Sequence, residues 1–318
     1  MNNTQLSYTA GAQDENTFLR DLLASKLLLS NSLVVHLKHQ NKIQVNGQLV
    51  HTNYRLQAGD FVTIDIDLIE ESNIIPESIP LDIVYEDEDF VVVNKPAGMS
   101  IHPSHLGGTG TLANAVTYYW QGLGRNILFR PINRLDKDTS GLVLIGKSQF
   151  AHQGIFNQLK QHTIDRRYVA LVERSMAKDN GHIDQPIARL DDKKRQRIVH
   201  PTGQSATTHY KILDKYPDHT LLSLKLETGR THQIRVHLSF IGHPVCGDLL
   251  YGFASPLINR QALHADRIRF THPRSGKEVI LAIPLAEDIQ TAVDYLVNQV
   301  QLFDNRFADH DLPDSSIE

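Results

Sequence analysis

Apolar positions along the chain follow two different periods. Across residues 17–38, TFLRDLLASKLLLSNSLVVHLK, leucines recur at helical spacing and predict two short helices. KIQVNGQLV then sets Asn46-Gly47 between two β-branched runs, the pattern of a tight hairpin. RLQAGDFVTIDI alternates and predicts a closing strand. From Leu81, DIVYEDEDFVVVNKPAG gives two β-rich runs parted by a charged turn. Short strands and helices continue to about Leu285 without a regular βαβ rhythm. That favours an α+β domain with a mixed, largely antiparallel sheet over a doubly wound one. A stripe through Ile289, Val293, Leu296 and Val300 predicts a C-terminal helix. The resulting divisions are a flexible N-terminus, 1–15, a small α/β module, 16–70, and an acidic, proline-bearing linker, 71–80. A larger domain, 81–303, and an acidic tail, 304–318, complete the chain.

A length of 318 residues fits about two domains. No apolar run approaches the ~18 residues that span a bilayer, and the polar start MNNTQLSYTAGAQDEN lacks the pattern of a signal peptide. The single cysteine, Cys246, excludes an internal disulfide. The expectation is a cytoplasmic protein, monomeric by default, with no membrane partner. A net charge of −4 argues at first against a nucleic-acid partner. Its distribution argues otherwise: residues 125–280 hold 25 Lys+Arg and 14 Asp+Glu, net +11, and the rest holds 7 and 22, net −15. A basic middle between acidic ends is the pattern of a phosphate-facing surface.

The densest chemistry lies in PINRLDKDTSGLVLIGKS, residues 131–148. Arg134, Asp136, Lys137 and Asp138 crowd four charges into five residues, just before the apolar run Leu142 to Ile145. Charges at the edge of a core need partners or a function. A carboxylate among cations is favoured in its charged form and is available as a nucleophile or base. A salt-bridged loop at a strand entrance fits the same residues equally well. Gly141 to Ser148 also satisfies the phosphate-loop pattern G-x-x-x-x-G-K-[ST]. Its four middle residues are apolar and strand-like, however, which opposes a nucleotide-binding loop. Among seventeen histidines, His102 and His105, and His232, His237 and His243, form groups, but their spacing clamps no ion, and no metal is expected. The basic run KKRQR, 193–197, fits a phosphate contact or a solvated loop.

NRLDKDTSGLVL resembles the signature of the RluA-type pseudouridine synthases, usually HRLD followed by two residues and TSGL, with Asn133 in place of the commoner His. VVVNKPAGMSIHP (91–103), RRYVALV (166–172), LETGRTHQIRVHLSFIGHPVCGDLLYG (226–252) and RQALHADRIRF (260–270) resemble that family's other motifs, in the same order. The resemblance covers roughly residues 80–285. It implies a pseudouridine synthase fold with a central cleft and cofactor-independent isomerisation of uridine in RNA. In that reaction the glycosidic bond breaks, uracil turns, and its carbon 5 bonds to the ribose. Carried over, Asp136 is the catalytic aspartate and Arg235 the arginine that pairs with it. Tyr168 packs on the target base, where a simple core tyrosine would also fit. Arg134 enters the helix stack in place of the flipped nucleotide. Leu263 forms an apolar wall of the uracil pocket, and Thr139 is a further uracil contact. Arg235 is expected on a helix from Thr231 to Ile241, capped by Thr231 and ended by Gly242. The 16–70 module resembles the small RNA-binding module of ribosomal protein S-four and its relatives, with few surface cations: Arg20, Lys26, Lys38, Lys42 and Arg55. The resemblance implies an RNA partner, ribosomal RNA of the large subunit ahead of transfer RNA. A non-catalytic RNA-binding protein is the alternative of a different class.

Overall fold

The computed structural model describes residues 5–66, 72–190 and 196–308, with residues 302–308 described by backbone alone. Its N-terminal part joins helices α1 (Leu19–Ser25) and α2 (Asn31–His39) to a sheet of β1 (Gln5–Thr9), β2 (Ile43–Val45), β3 (Gln48–Leu49) and β4 (Phe61–Asp65), in the order β1-β4-β2-β3. Asn46 and Gly47 both take positive φ, 52° and 77°, which closes the expected hairpin. β1 corrects the reading of residues 1–15 as flexible for 5–15, while 1–4 lie outside the described residues. Leu6 is buried and residues 5–9 pair with β4, while the Asp14 carboxylate accepts from Tyr8 Oη and from Gly11 N at 2.9 Å each. Polar composition hid an edge strand that pairs with β4 and buries Leu6.

The linker residues from 72 to 80 form neither helix nor strand, but they are fastened down. Asn114 Nδ2 donates to Ile75 O at 2.7 Å, and Glu77 Oε2 accepts from Gly110 N at 2.5 Å.

The larger part is a mixed sheet. Its strands are β5 (Ile83–Glu86), β6 (Phe90–Lys95), β7 (Arg130–Pro131), β8 (Ser140–Gly146), β9 (Asp165–Glu173) and β10 (Asn180–Asp184). A separate ribbon pairs β11 (Ile187–Arg189) with β12 (Arg197–Val199), and the sheet then takes up β13 (Thr207–Lys215), β14 (His219–Leu226), β15 (Leu263–Thr271) and β16 (Glu278–Ala282). The order is β10-β13-β14-β9-β15-β8-β6-β5, with β16 on β15 and β7 on β8. Every pairing in it is antiparallel except β15 with β8. Helices α3 (Leu112–Gly122), α4 (Gln149–Lys160), α5 (Gln233–Phe240) and α6 (Glu287–Ala308) pack around it. Val91, Trp120, Val143, Leu171, Leu224 and Leu238 lie in one buried cluster, and Phe90, Val92, Leu144 and Ile155 in another. β6 and β8 send alternate residues to both clusters, which is why their sequences are continuously apolar. The α6 helix runs past residue 303, so the tail begins later than expected; 309–318 lie outside the described residues.

The two parts share a seam. Phe150 at the start of α4 belongs to the N-terminal core, and Arg274, forked on Asp89 at 2.6 and 2.7 Å, also donates to Gln5 O at 3.2 Å.

Candidate active site

The loop 133–139 enters β8 under three restraints. Buried Asn133 uses both ends of its amide on that strand: Nδ2 donates to Leu142 O at 2.9 Å and Oδ1 accepts from Leu144 N at 2.8 Å. Lys95, fully buried, donates to Pro96 O, Met99 O and Lys137 O at 2.7, 2.9 and 3.1 Å. Burial pulls its pKa down to about 8, with nearby Arg260 acting in the same direction. Arg260 is clamped on Asp288 by two 2.7 Å bonds and donates to Asp138 O at 3.0 Å. The loop is therefore tied at residues 133, 137 and 138 by groups that a charge pattern does not reveal.

Gly141 explains the glycine in the segment. It sits at φ 115°, and a Cβ there would lie 2.3 Å from Ala265 O on the parallel neighbour β15. The same strand removes the phosphate-loop reading. Residues 140–146 are a wholly buried strand, Lys147 donates to Glu86 Oε1 at 2.6 Å, and Ser148 caps α4 by accepting from Ala151 N. The pattern Gly141 to Ser148 is thus a paired, buried strand running into a helix cap rather than a loop wrapped around phosphates.

Asp136 stands at the loop's apex with its side chain 24% exposed. Arg235 Nη1 donates to its Oδ2 at 2.9 Å. The rest of that guanidinium forks onto Asp248, a fully buried carboxylate, with Nε to Oδ2 at 2.6 Å and Nη2 to Oδ1 at 2.8 Å. Burial alone would lower the pKa of Arg235, but Asp248 and then Asp136 more than offset it, so the cation is held. Asp248 Oδ1 also accepts from Leu250 N and Tyr251 N at 3.0 and 3.2 Å. Asp248 was not read as a site residue from the sequence.

The α5 helix that carries Arg235 starts later than expected and is not capped by Thr231. His232 occupies the cap position with φ 58°, the left-handed region, and makes no side-chain cap bond. Gln233 instead ties the entry, its Oε1 accepting from Thr228 Oγ1 at 2.8 Å and Arg230 N at 3.0 Å. A left-handed non-glycine residue costs about 1–3 kcal/mol. Here it aims the imidazole at the site: Nε2 lies 3.9 Å from Asp136 Oδ1, and Nδ1 lies 2.8 Å from Tyr251 Oη. That hydroxyl accepts from Arg197 N at 2.8 Å, which links the β11–β12 ribbon to the site.

Asp136 opens on a cleft of about 890 Å³. Arg134, Thr139, Tyr168, Arg235 and Leu263 line it too, so all six residues singled out in the sequence share one cavity. Tyr168 and Leu263 are about 95% buried; burial raises the pKa of the phenol and keeps it neutral. Arg134 is exposed. Thr139 is nearly closed off, its hydroxyl accepting from Gln261 Nε2 at 3.3 Å and its N–H donating to Asp136 O at 3.1 Å. Among the described lining residues, seven are Lys or Arg and two are carboxylates, Asp136 and Glu227. Arg197 of the KKRQR run is one of the seven; Lys193, Lys194 and Arg195 lie outside the described residues. No described helix is long and apolar enough to cross a membrane.

The histidine groups noted in the sequence do not gather metal ligands. His237 has both ring nitrogens engaged, with Thr208 Oγ1 and Gln185 O at 2.9 Å each. Among the described residues, metal-type donors come together instead at Glu173, His219 and Cys246, within 4.8 Å of one another and outside the cleft lining. Burial pushes the Cys246 thiol up to about 12, leaving a neutral S–H that donates to Ser255 Oγ at 3.1 Å.

Residues 89–240 match the RNA pseudouridylate synthase family. The chain is 41% identical over 298 residues to a Bacillus subtilis (strain 168) protein named "Uncharacterized RNA pseudouridine synthase YlyB", covering 92% of this chain and 98% of that one. It is 38% identical to "Ribosomal large subunit pseudouridine synthase D" of Escherichia coli O157:H7, over 80% of this chain and 82% of that one. Among solved structures, "Human RNA Pseudouridylate Synthase Domain Containing 1" superposes with a TM-score of 0.56 at 26% identity, over 73% of this chain and 98% of that one. With five ordered motif segments, a charged loop facing a cleft and relatives matched over most of their length, the chain belongs to the RluA-type RNA pseudouridine synthases.

Proposed function

We propose that this enzyme isomerises specific uridines in large-subunit ribosomal RNA, with Asp136 as the catalytic carboxylate. The observation that carries this reading is the Asp136 carboxylate, turned into a basic cleft and held at 2.9 Å by an arginine that a buried aspartate fixes in place. Asp136 acts at the glycosidic linkage of a uridine drawn out of its stack. Tyr168 packs on the extruded base and Leu263 closes the apolar side of its pocket. Exposed Arg134 fills the space the nucleotide leaves, offsetting part of an unstacking cost of a few kcal/mol. Thr139 braces the turn beneath Asp136. The choice of ribosomal RNA over transfer RNA draws support from the relatives named for the ribosomal large subunit. The module of residues 16–70 leaves the phosphate contacts to the cleft. Several of its cations are already engaged: Lys42 pairs with Asp65, and Arg20 and Arg55 lie 4.5 and 4.3 Å from the Phe18 ring centroid.

The test is pseudouridine mapping in total RNA with and without the gene, joined to assays on unmodified transcripts. A ribosomal site lost with the gene and restored by wild-type protein, but not by Asp136→Asn, is expected. Asp136→Asn should still bind the transcript. Normal modification by that variant would defeat the assignment of Asp136, and a lost site in transfer RNA alone would defeat the choice of substrate.

A further inference from the structure

The cleft extends beyond the residues assigned so far, along the C-terminal half of α4 and the start of β9. Phe150, Ala151 and Ile155 on α4 are buried, whereas Phe156 turns outward with 42% of its surface exposed, on the cleft wall. Four residues earlier, His152 lies nearly parallel to its ring, at 6.2 Å and 12°. Four residues later, Lys160 Nζ sits 4.9 Å from the ring centroid. An exposed aromatic ring beside an ammonium is the combination that binds single-stranded nucleic acid, one part meeting a base and the other its phosphate.

A second observation points the same way. Arg166 precedes Tyr168 by two residues on β9, so both project from the same face of the sheet. Arg166 is only 8% exposed, yet its Nε has no hydrogen-bond partner and it enters no ion pair among the described residues. Gly229 leaves room for it: a Cβ there would stand 3.1 Å from Arg166 Nη1. A buried Nε without a partner is costly, and because Arg166 lines the cleft, a phosphate arriving there would pair with its charge.

We propose that Phe156, Lys160 and Arg166 form a second nucleotide subsite, which stacks an unpaired base of the RNA on Phe156 and holds its phosphate, next to the target uridine. The proposal rests on the reading of the cleft as the RNA site. Lys160 swings from the ring to the phosphate as the base arrives, and Arg166 sits between the two bases, within reach of the backbone that joins them. This subsite makes the enzyme selective for uridines whose neighbour is also free to unstack.

The experiment uses the full chain and an RNA stem-loop around the mapped uridine, intact or with an abasic ribose at the 5′ or the 3′ neighbour. Phe156→Leu keeps the apolar volume and removes the π-face. It should raise Kd roughly 5- to 150-fold, the range of one base–aromatic stack, whereas Phe156→Tyr should stay within about twofold of wild type. An abasic neighbour on one side should cost the wild type as much as Phe156→Leu does, and should cost Phe156→Leu nothing more. Arg166→Gln should reduce the salt slope of binding by about one. Wild-type affinity in Phe156→Leu, or abasic penalties that add in full to it on both sides, would overturn the subsite. Failure of the underlying reading looks different, because Asp136→Asn would then remain active whatever Phe156 does.

Discussion

Arg235 divides its guanidinium between two acids, and the division sets the geometry of the site. Two of its nitrogens are fixed on Asp248, so the third can point in one direction only, towards Asp136. Asp248→Asn keeps the volume but replaces one acceptor with an N–H that opposes the guanidinium. Single-turnover rate should fall by up to about 100-fold, the effect of misplacing a reacting group by about an ångström, while RNA affinity stays near wild type. An unchanged rate would remove Asp248 from the positioning chain. Arg235→Met should do more, because it leaves the buried Asp248 carboxylate without a cation, at a cost of about 3–5 kcal/mol in stability. A thermal melt must accompany that variant's activity assay. Asp136 and Arg235 were legible in the sequence because motifs carry them. Asp248 lies in the same 226–252 segment, thirteen residues beyond Arg235, but no role was carried over to it, because neither charge nor spacing shows that it folds back onto the guanidinium. Asn133 stands where the family commonly has His, and here its amide binds two backbone groups of β8, which neither charge nor periodicity announces.

At the scale of elements, the parallel crossing of β8 and β15 decides where the loop 133–139 emerges. His264 pairs with Ser140 and Ala265 with Gly141 across it. Gly141→Ala would force a Cβ against Ala265 backbone atoms at 2.3–2.8 Å, in a backbone conformation that alanine rarely adopts. Rigid backbone on both sides leaves no easy relief, so destabilisation above about 4 kcal/mol and loss of soluble protein are expected. Wild-type melting would mean the two strands can separate locally. His264 lies at the same crossing, 1% exposed, with Nδ1 2.8 Å from Ser140 Oγ and Nε2 3.0 Å from Pro284 O. Burial lowers its pKa to about 4. In the unfolded chain the ring takes up a proton near pH 6.5, whereas in the folded protein it stays neutral until about 4. Acid therefore favours unfolding, and about 3 kcal/mol of stability should disappear as pH falls through that window. His264→Gln should flatten the fall in denaturant midpoints between those pH values; an equally steep fall would place the titration elsewhere. The hydrophobic pattern delivered the two N-terminal helices, their hairpin and closing strand, the first runs of the large sheet and α6, but not β1, α3 or α4. It gave neither the parallel crossing, which joins residues 124 positions apart, nor the left-handed start of α5, which Gln233 rather than a capping threonine secures.

For the whole molecule, net charge misleads and its arrangement informs. The chain is acidic overall, yet its basic stretch folds so that seven cations and two carboxylates face one cleft among the described residues. RNA bound there releases counterions in proportion to the phosphates neutralised, with a slope of about −0.7 per phosphate for single strands. Contact with most of the cleft's cations predicts a slope of about −4 to −5 for log K against log salt. The N-terminal part offers a control, since it is joined to the larger part through Phe150 and Arg274 and is folded on its own core. Lys26 and Lys38 lie on it, and replacing both with glutamine leaves the cleft untouched. If the cleft carries the binding, that double variant keeps the wild-type slope, whereas Arg134→Gln lowers it by about one. A slope reduced by about two in the double variant would move part of the RNA footprint onto the N-terminal part. A flat dependence in the wild type would reject the phosphate-facing cleft altogether.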